Sequence, residues 1–114
     1  MRALTTMEKF AVEHVANRLD AASRVRLLED LSHATAHSAL PDGARVVFDI
    51  AGYQRPPYKG QRSFGVTGEL LDRDGAKLSF DLYCDENGRL LELELIRWQG
   101  GDILEPDWST LNLF

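Results

Sequence analysis

The sequence predicts an α+β fold: two N-terminal helices packed on a four-stranded antiparallel meander, with material for a short extra C-terminal strand. Three observations carry this. The apolar period is helical over the first 40 residues and changes to two from Arg45 onward. Two hairpin signals, Asn87-Gly88 and Arg73-Asp-Gly75, sit between alternating runs. The chain has 114 residues, 44% hydrophobic and 27% charged, which suits one domain burying roughly two-thirds of its unfolded surface. Residues 1–114 are therefore read as a single domain, helical over 1–40 and sheet over 44–114.

The helical part starts at a capping box, Thr5 followed by Glu8, after which Met7, Phe10, Ala11, Val15 and Leu19 recur at helical spacing. This predicts a helix over about residues 6–19. Asp20 caps a second helix in which Val25, Leu28, Leu31 and Thr35 form the apolar stripe, while Arg24, Arg26, Glu29 and Asp30 stay outside. Leu40-Pro-Asp-Gly43 ends the helical half.

The sheet begins with Val46, Phe48 and Ile50 on one face of a first strand, and Phe64, Val66, Gly68 and Leu70 on one face of a second. A three-residue loop, Arg73-Asp-Gly75, with Gly75 left-handed, sets Leu70 opposite Leu78, Val66 opposite Leu82, Glu69 beside Ser79 and Thr67 beside Asp81. A two-residue turn at Asn87-Gly88 sets Glu86 opposite Arg89, Cys84 opposite Leu91, Leu82 opposite Leu93 and Phe80 opposite Leu95. On the other face it sets Asp81 opposite Glu94 and Tyr83 opposite Glu92. Glu69, Asp81, Glu92 and Glu94 then emerge on one outer surface. Like charges directly across a sheet are destabilising, so such a surface is either solvated or offered to something cationic. The tail retains Leu111, Leu113 and Phe114 in alternation, enough for a last strand or a covered sheet edge.

Charge is unevenly spread. The net charge of -5 divides into -1 over residues 1–43, +3 over 44–63 and -7 over 64–114. An acidic second half repels nucleic acid and membrane surfaces and attracts basic proteins. The basic stretch is the connection Gly52–Ser63, with Tyr53, Tyr58, Arg55, Lys59, Arg62 and the stiff Pro56-Pro57. It reads either as a second contact surface or as an internal counter-charge folded over the acids. The single Cys84 excludes an internal disulfide and suits a reducing compartment. Charges occupy the N-terminus where a signal peptide has its apolar run, and no stretch approaches the roughly 18 apolar residues of a membrane span. The expected location is cytoplasmic.

Chemical motifs are weak. His33 and His37 have the spacing of a zinc-binding helix, but Ala34 stands where a metalloprotease needs its glutamate, so no metal or other cofactor is expected. Cys84 falls on the inward face and reads as a small buried hydrophobe. Gly65-Val-Thr-Gly68 lacks the geometry of a phosphate loop. Paired carboxylates can hydrolyse glycosides, but that requires one acid enclosed and raised in pKa. These lie on an open face, and no enzyme is expected.

The runs Asp49-Ile-Ala-Gly-Tyr-Gln-Arg-Pro-Pro-Tyr58, Gly65-Val-Thr-Gly-Glu-Leu-Leu-Asp-Arg-Asp-Gly75 and Asp85-Glu-Asn-Gly-Arg-Leu-Leu-Glu-Leu-Glu-Leu-Ile-Arg-Trp98 resemble small bacterial immunity proteins of contact-dependent growth inhibition systems. The resemblance covers the sheet, about two-thirds of the chain, and transfers no residue as a known contact. It implies a cytoplasmic inhibitor that binds a cognate toxin domain, often a basic nuclease, and blocks its active site. The expected partner surface is Glu69, Asp81, Tyr83, Glu92, Glu94 and Trp98, with Tyr53 and Tyr58 of the loop as competing candidates. The alternative is a small-molecule-binding or regulatory domain whose pocket lies between helices and sheet.

Overall fold

The computed structural model describes residues 1–114. In chain order the elements are α1 (Thr6–Ala16), α2 (Ala21–Ser32), β1 (Ala34–Ser38), β2 (Arg45–Ile50), β3 (Arg62–Asp72), β4 (Lys77–Cys84), β5 (Leu90–Arg97) and β6 (Pro106–Leu113). All six strands join one antiparallel sheet in the order β1-β2-β5-β4-β3-β6. The α+β class holds, with six strands where four were expected.

The α1 capping box forms as the sequence predicts: the Glu8 amide donates to the Thr5 hydroxyl at 3.1 Å, and the Thr5 amide donates to Glu8 Oε1 at 2.8 Å. Arg2 clasps the same carboxylate with two bonds of 2.7 and 2.9 Å. Ala11, Val12, Val15 and Ala16 are buried in one core with Leu27 of α2 and with Phe48, Leu78, Phe80, Leu82 and Leu93 of the sheet.

Asp20 caps α2 through a 2.9 Å bond from the Ser23 amide, but the buried face of this helix is not the expected stripe. Val25 is 67% exposed, Leu28 also faces solvent, and Leu27 and Asp30 point inward. The cause is Asp30, whose carboxylate takes a forked pair of bonds from Arg89 (2.7 and 2.9 Å) and one from the Leu90 amide. A buried, charge-assisted cluster of this kind outweighs the transfer energy of one valine.

The helix also stops at Ser32, and Ala34–Ser38 is a strand paired with β2, Ala36 opposite Phe48. His33 is therefore a helix cap and His37 a strand residue, and the two do not share a helical face. Five paired residues plus the bridge from Arg2 to Ala36 supply backbone bonds that the weak helical period of this segment cannot match.

The loop Arg73-Asp-Gly75 is the expected three-residue turn, closed by the Asp72 amide on the Ala76 carbonyl, with Gly75 at φ 87°. Leu70 faces Leu78, Glu69 faces Ser79 and Thr67 faces Asp81, as predicted, but the ladder shifts between Ser63 and Thr67, so Val66 does not take Leu82 as its partner.

The β4–β5 turn departs from the expected type. The Asp85 amide donates to the Arg89 carbonyl at 2.9 Å and only Gly88 is left-handed, at φ 74°, so three residues rather than two form the loop. Glu86 does not face Arg89, and Cys84 faces Leu90 rather than Leu91. A bulge between Tyr83 and Cys84 then moves the register by one, and Tyr83–Glu92, Leu82–Leu93, Asp81–Glu94 and Phe80–Leu95 stand opposite each other as predicted. The two differences cancel.

The topology is not a meander. β2 lies beside β5, not β3, which makes β2-β5-β4-β3 a Greek key. The connection between β2 and β3 must cross the β4–β5 hairpin tip, where Tyr53 Oη donates to Asp85 Oδ2 at 2.6 Å and Arg55 donates to the same oxygen at 2.9 Å. Lys59 lies 4.0 Å from Glu86. The loop cations thus act as counter-charge for the hairpin tip. At the opposite edge, β6 is a full strand of eight residues on β3, with Trp108 meeting Phe80 edge-on at 6.1 Å. Gly68 makes this approach possible, since a Cβ there would lie 2.8 Å from Leu113 Cδ2. No helix is long and apolar enough to cross a membrane.

Two outcomes follow from this packing. Cys84 is buried and its thiol is pushed up, first by burial and then by the neighbouring Asp85 charge; thiol reagents should label native protein far more slowly than denatured protein, and equal rates would mean that β4 is turned over. For Asp85, burial works to raise the carboxyl, but bonds from Tyr53, the Arg89 amide, Arg55 and the Asn87 amide outweigh it and hold it below the ordinary range. Its contribution is therefore complete above the unfolded value near pH 4 and is lost as pH falls through the depressed folded value. Asp85→Ala should cost about 3–5 kcal/mol in urea unfolding at pH 7, and the deficit should shrink in acid.

Candidate partner-binding face

The helices cover one face of the sheet. On the other, cross-strand pairing builds two rows of side chains: Val47–Glu92–Tyr83–Ser63, and below it Arg45–Glu94–Asp81–Thr67. A third row, Ile96–Ser79–Glu69–Asn112, extends to β6. Alternation along β3, β4 and β5 thus assembles Glu69, Asp81, Tyr83, Glu92 and Glu94 on one face. Trp98, just past β5, joins them by donating its indole N–H to Ser79 Oγ. A groove of about 320 Å³ runs through this surface, lined by Asp81, Glu94, Glu69, Tyr83, Trp98 and Phe114 among others.

The acids of this face are not equivalent. Glu92 is buried and held by Arg45 in a fork of 3.0 and 3.1 Å. Glu69 has a loose partner in Lys77 at 3.8 Å, largely in solvent, a contact worth little. Asp81 and Glu94 face each other with no cation bonded to either; Ser63 Oγ donates to Asp81 at 3.0 Å and Tyr83 Oη donates to Glu94 at 3.3 Å. Burial pushes the Asp81 carboxyl above its ordinary value, against the lowering effect of the Ser63 bond. Tyr83 is pushed up to about 12, by burial first and then by the charges of Asp81 and Glu94. The groove is a partly desolvated negative site with neutral donors only.

The two loop candidates lie elsewhere. Tyr53 is committed to the hairpin tip, its hydroxyl on Asp85 and its ring 4.2 Å beneath the Arg89 guanidinium. Tyr58 is exposed and, with Pro56, Pro57 and Lys59, lines a separate cleft against Val47 and Leu91. Sequence reasoning missed Ile96 and Phe114. Ile96 was visible in the alternation of β5, whereas Phe114 reaches the groove through the irregular β3–β6 register, which no short-range signal encodes. A larger groove of about 640 Å³ lies between α1 and β6. Met7, Phe10 and Trp108 share its wall with Asp72, Arg73 and Asp107, in the helix–sheet position expected for the alternative small-molecule pocket.

The Asp81 environment gives a direct test of what holding this charge half-buried costs. Its raised folded pKa means that it lowers stability at pH values above that pKa, and that the loss is relieved as acid protonates it. Asp81→Asn should therefore stabilise the protein at pH 7 by about 0.2–1 kcal/mol, the scale of a cross-strand pair. It should also lower the Tyr83 phenol while leaving it above 10, as read by ultraviolet titration. A destabilised variant with an unmoved phenol would mean that the half-buried charge carries no such cost.

The chain matches no family model, no curated protein and no solved structure.

Proposed function

We propose that this chain is a non-enzymatic binding protein of the immunity type, acting in the cytoplasm, which neutralises a basic toxin domain, a nuclease above all, by docking its open acidic sheet face on it. The single observation that supports this reading is the selective treatment of carboxylates. Glu8, Asp30, Asp72, Asp85 and Glu92 are the buried acids, and each is bridged by an arginine of the same chain. Asp81 and Glu94, directly opposed and half-buried, receive none. Trp98 and Phe114, 68% and 57% exposed at the rim of the same groove, add the aromatic character common at interface centres. A basic domain arriving here would gain long-range attraction and relieve an existing repulsion.

The test is growth rescue. The C-terminal domain of the protein encoded immediately upstream is expressed in a bacterial host with this chain or with its Asp81→Lys/Glu94→Lys variant. The wild type should restore growth, with an affinity that falls as salt rises; the folded double variant should not, its direct affinity being lowered by roughly 3 kcal/mol or more. Tyr58→Ala should rescue as wild type does. Equal rescue by the double variant beside failure of Tyr58→Ala would move the interface to the loop.

A further inference from the structure

We infer that the groove on the open face is a slot for one arginine side chain of the partner, its guanidinium between Asp81 and Glu94 and its stem on Trp98 and Phe114. This rests on the reading of that face as partner-binding and names the group it recognises.

Charge complementarity gives the first part of the argument. Wherever this chain withdraws a carboxylate from water it meets it with a guanidinium: Arg2 on Glu8, Arg45 on Glu92, Arg55 on Asp85, Arg89 on Asp30 and Arg97 on Asp72, at closest distances of 2.7 to 3.0 Å. Asp81 and Glu94 break that pattern although they sit next in the ladder to Arg45. Arg45, directly opposite Glu94 in the ladder, turns its Nε–Nη2 edge to Glu92 and makes no bond to Glu94. Lys77 leans on Glu69, and Arg97 is held by Asp72 and Asp74. None of these three cations bonds Asp81 or Glu94.

Shape and lining give the second part. A groove of about 320 Å³ admits a single long side chain rather than a folded segment. Its acidic floor is flanked by the Tyr83, Trp98 and Phe114 rings and by Ile96, an apolar rim that in the free protein is left substantially exposed at Trp98, Phe114 and Ile96. Two acceptors on neighbouring strands suit a planar fork with several donors. Aromatic faces suit a weakly hydrated, stackable cation; a lysine ammonium, compact and strongly hydrated, uses neither feature as well.

The experiment is an NMR titration of the full isotope-labelled chain with three capped tripeptides, acetyl-Gly-Arg-Gly-amide and its lysine and citrulline counterparts. The arginine peptide should give saturable shifts at Asp81, Tyr83, Glu94 and the Trp98 indole, with millimolar affinity. The lysine peptide should bind more weakly and the citrulline peptide should leave the groove unshifted. Asp81→Asn/Glu94→Gln should lower the arginine affinity by about tenfold or more. Trp98→Ala, a change at an exposed position, should lower it severalfold with the remaining spectrum preserved. Shifts that land elsewhere, equal binding of arginine and citrulline, or indifference to both variants would overturn the slot. A ten-residue polyarginine peptide separates this from the broader reading: if it shifts the open face while the single arginine does not, the slot falls and the acidic interface stands. If it also leaves that face unshifted, both fall.

Discussion

The Asp85 carboxylate is the constraint on which the rest of the structure depends. One oxygen accepts the amides of Asn87 and Arg89 and so fixes the hairpin turn; the other accepts Tyr53 Oη and Arg55 and so fixes the loop that crosses it. The turn in its turn presents Arg89 to Asp30 of α2 while Tyr53 stacks under the same guanidinium. Hairpin, crossover and second helix are thereby tied at one end of the sheet. A Greek key needs a long connection held in place, since closing it costs entropy that only specific contacts recover. Here two charged or hydroxyl donors on a single buried oxygen supply those contacts.

The same turn decides what faces what on the open side. Its three-residue form would shift β5 by one position against β4, and the bulge before Cys84 shifts it back. Without that correction Asp81 would not oppose Glu94, and the inward leucines of β5 would turn outward, because a one-residue slip exchanges the faces of a strand. The apolar core therefore enforces the juxtaposition of two like charges: Leu82 on Leu93 and Phe80 on Leu95 can pair only in the register that also pairs Asp81 with Glu94. Core packing, at several kcal/mol, easily overrides a cross-strand repulsion of at most about 1 kcal/mol. This local conflict stands against a background of otherwise satisfied buried groups.

What was legible in the sequence was what short-range rules encode. The Thr5–Glu8 capping box, the Asp20 cap, the Arg73-Asp-Gly75 turn and the period-two faces of β4 and β5 depend on residues a few positions apart, and they read correctly. The candidate face came from that alternation alone, and the structure brings Glu69, Asp81, Tyr83, Glu92, Glu94 and Trp98 onto one side of the sheet. What failed depends on partners distant in sequence. The rotation of α2 is set by Arg89, 59 residues from Asp30. The pairing of β2 with β5 rather than β3 has no local signal, and neither does the strand at Ala34–Ser38, whose bonds come from β2 and Arg2. Nor does any local signal announce that the Tyr53 hydroxyl bonds Asp85, 32 residues away.

The open face also differs from the loop in how little it would have to reorganise in the proposed binding. Asp81, Tyr83 and Glu94 project from central strands flanked on both sides, so their backbone is ordered before any partner arrives, and Ser63 and Tyr83 already orient the two carboxylates. Association then costs chiefly the translational and rotational freedom of the partner and the freezing of a few exposed side chains, of which Trp98 is already tethered through Ser79. Loop residues offer exposed rings too, but Tyr58 stands in a connection held at one end by the hairpin tip and free of strand pairing until Arg62. For equal contact area the sheet face keeps more of its interaction energy as affinity, because its geometry is set by the same ladder that forces its charges together.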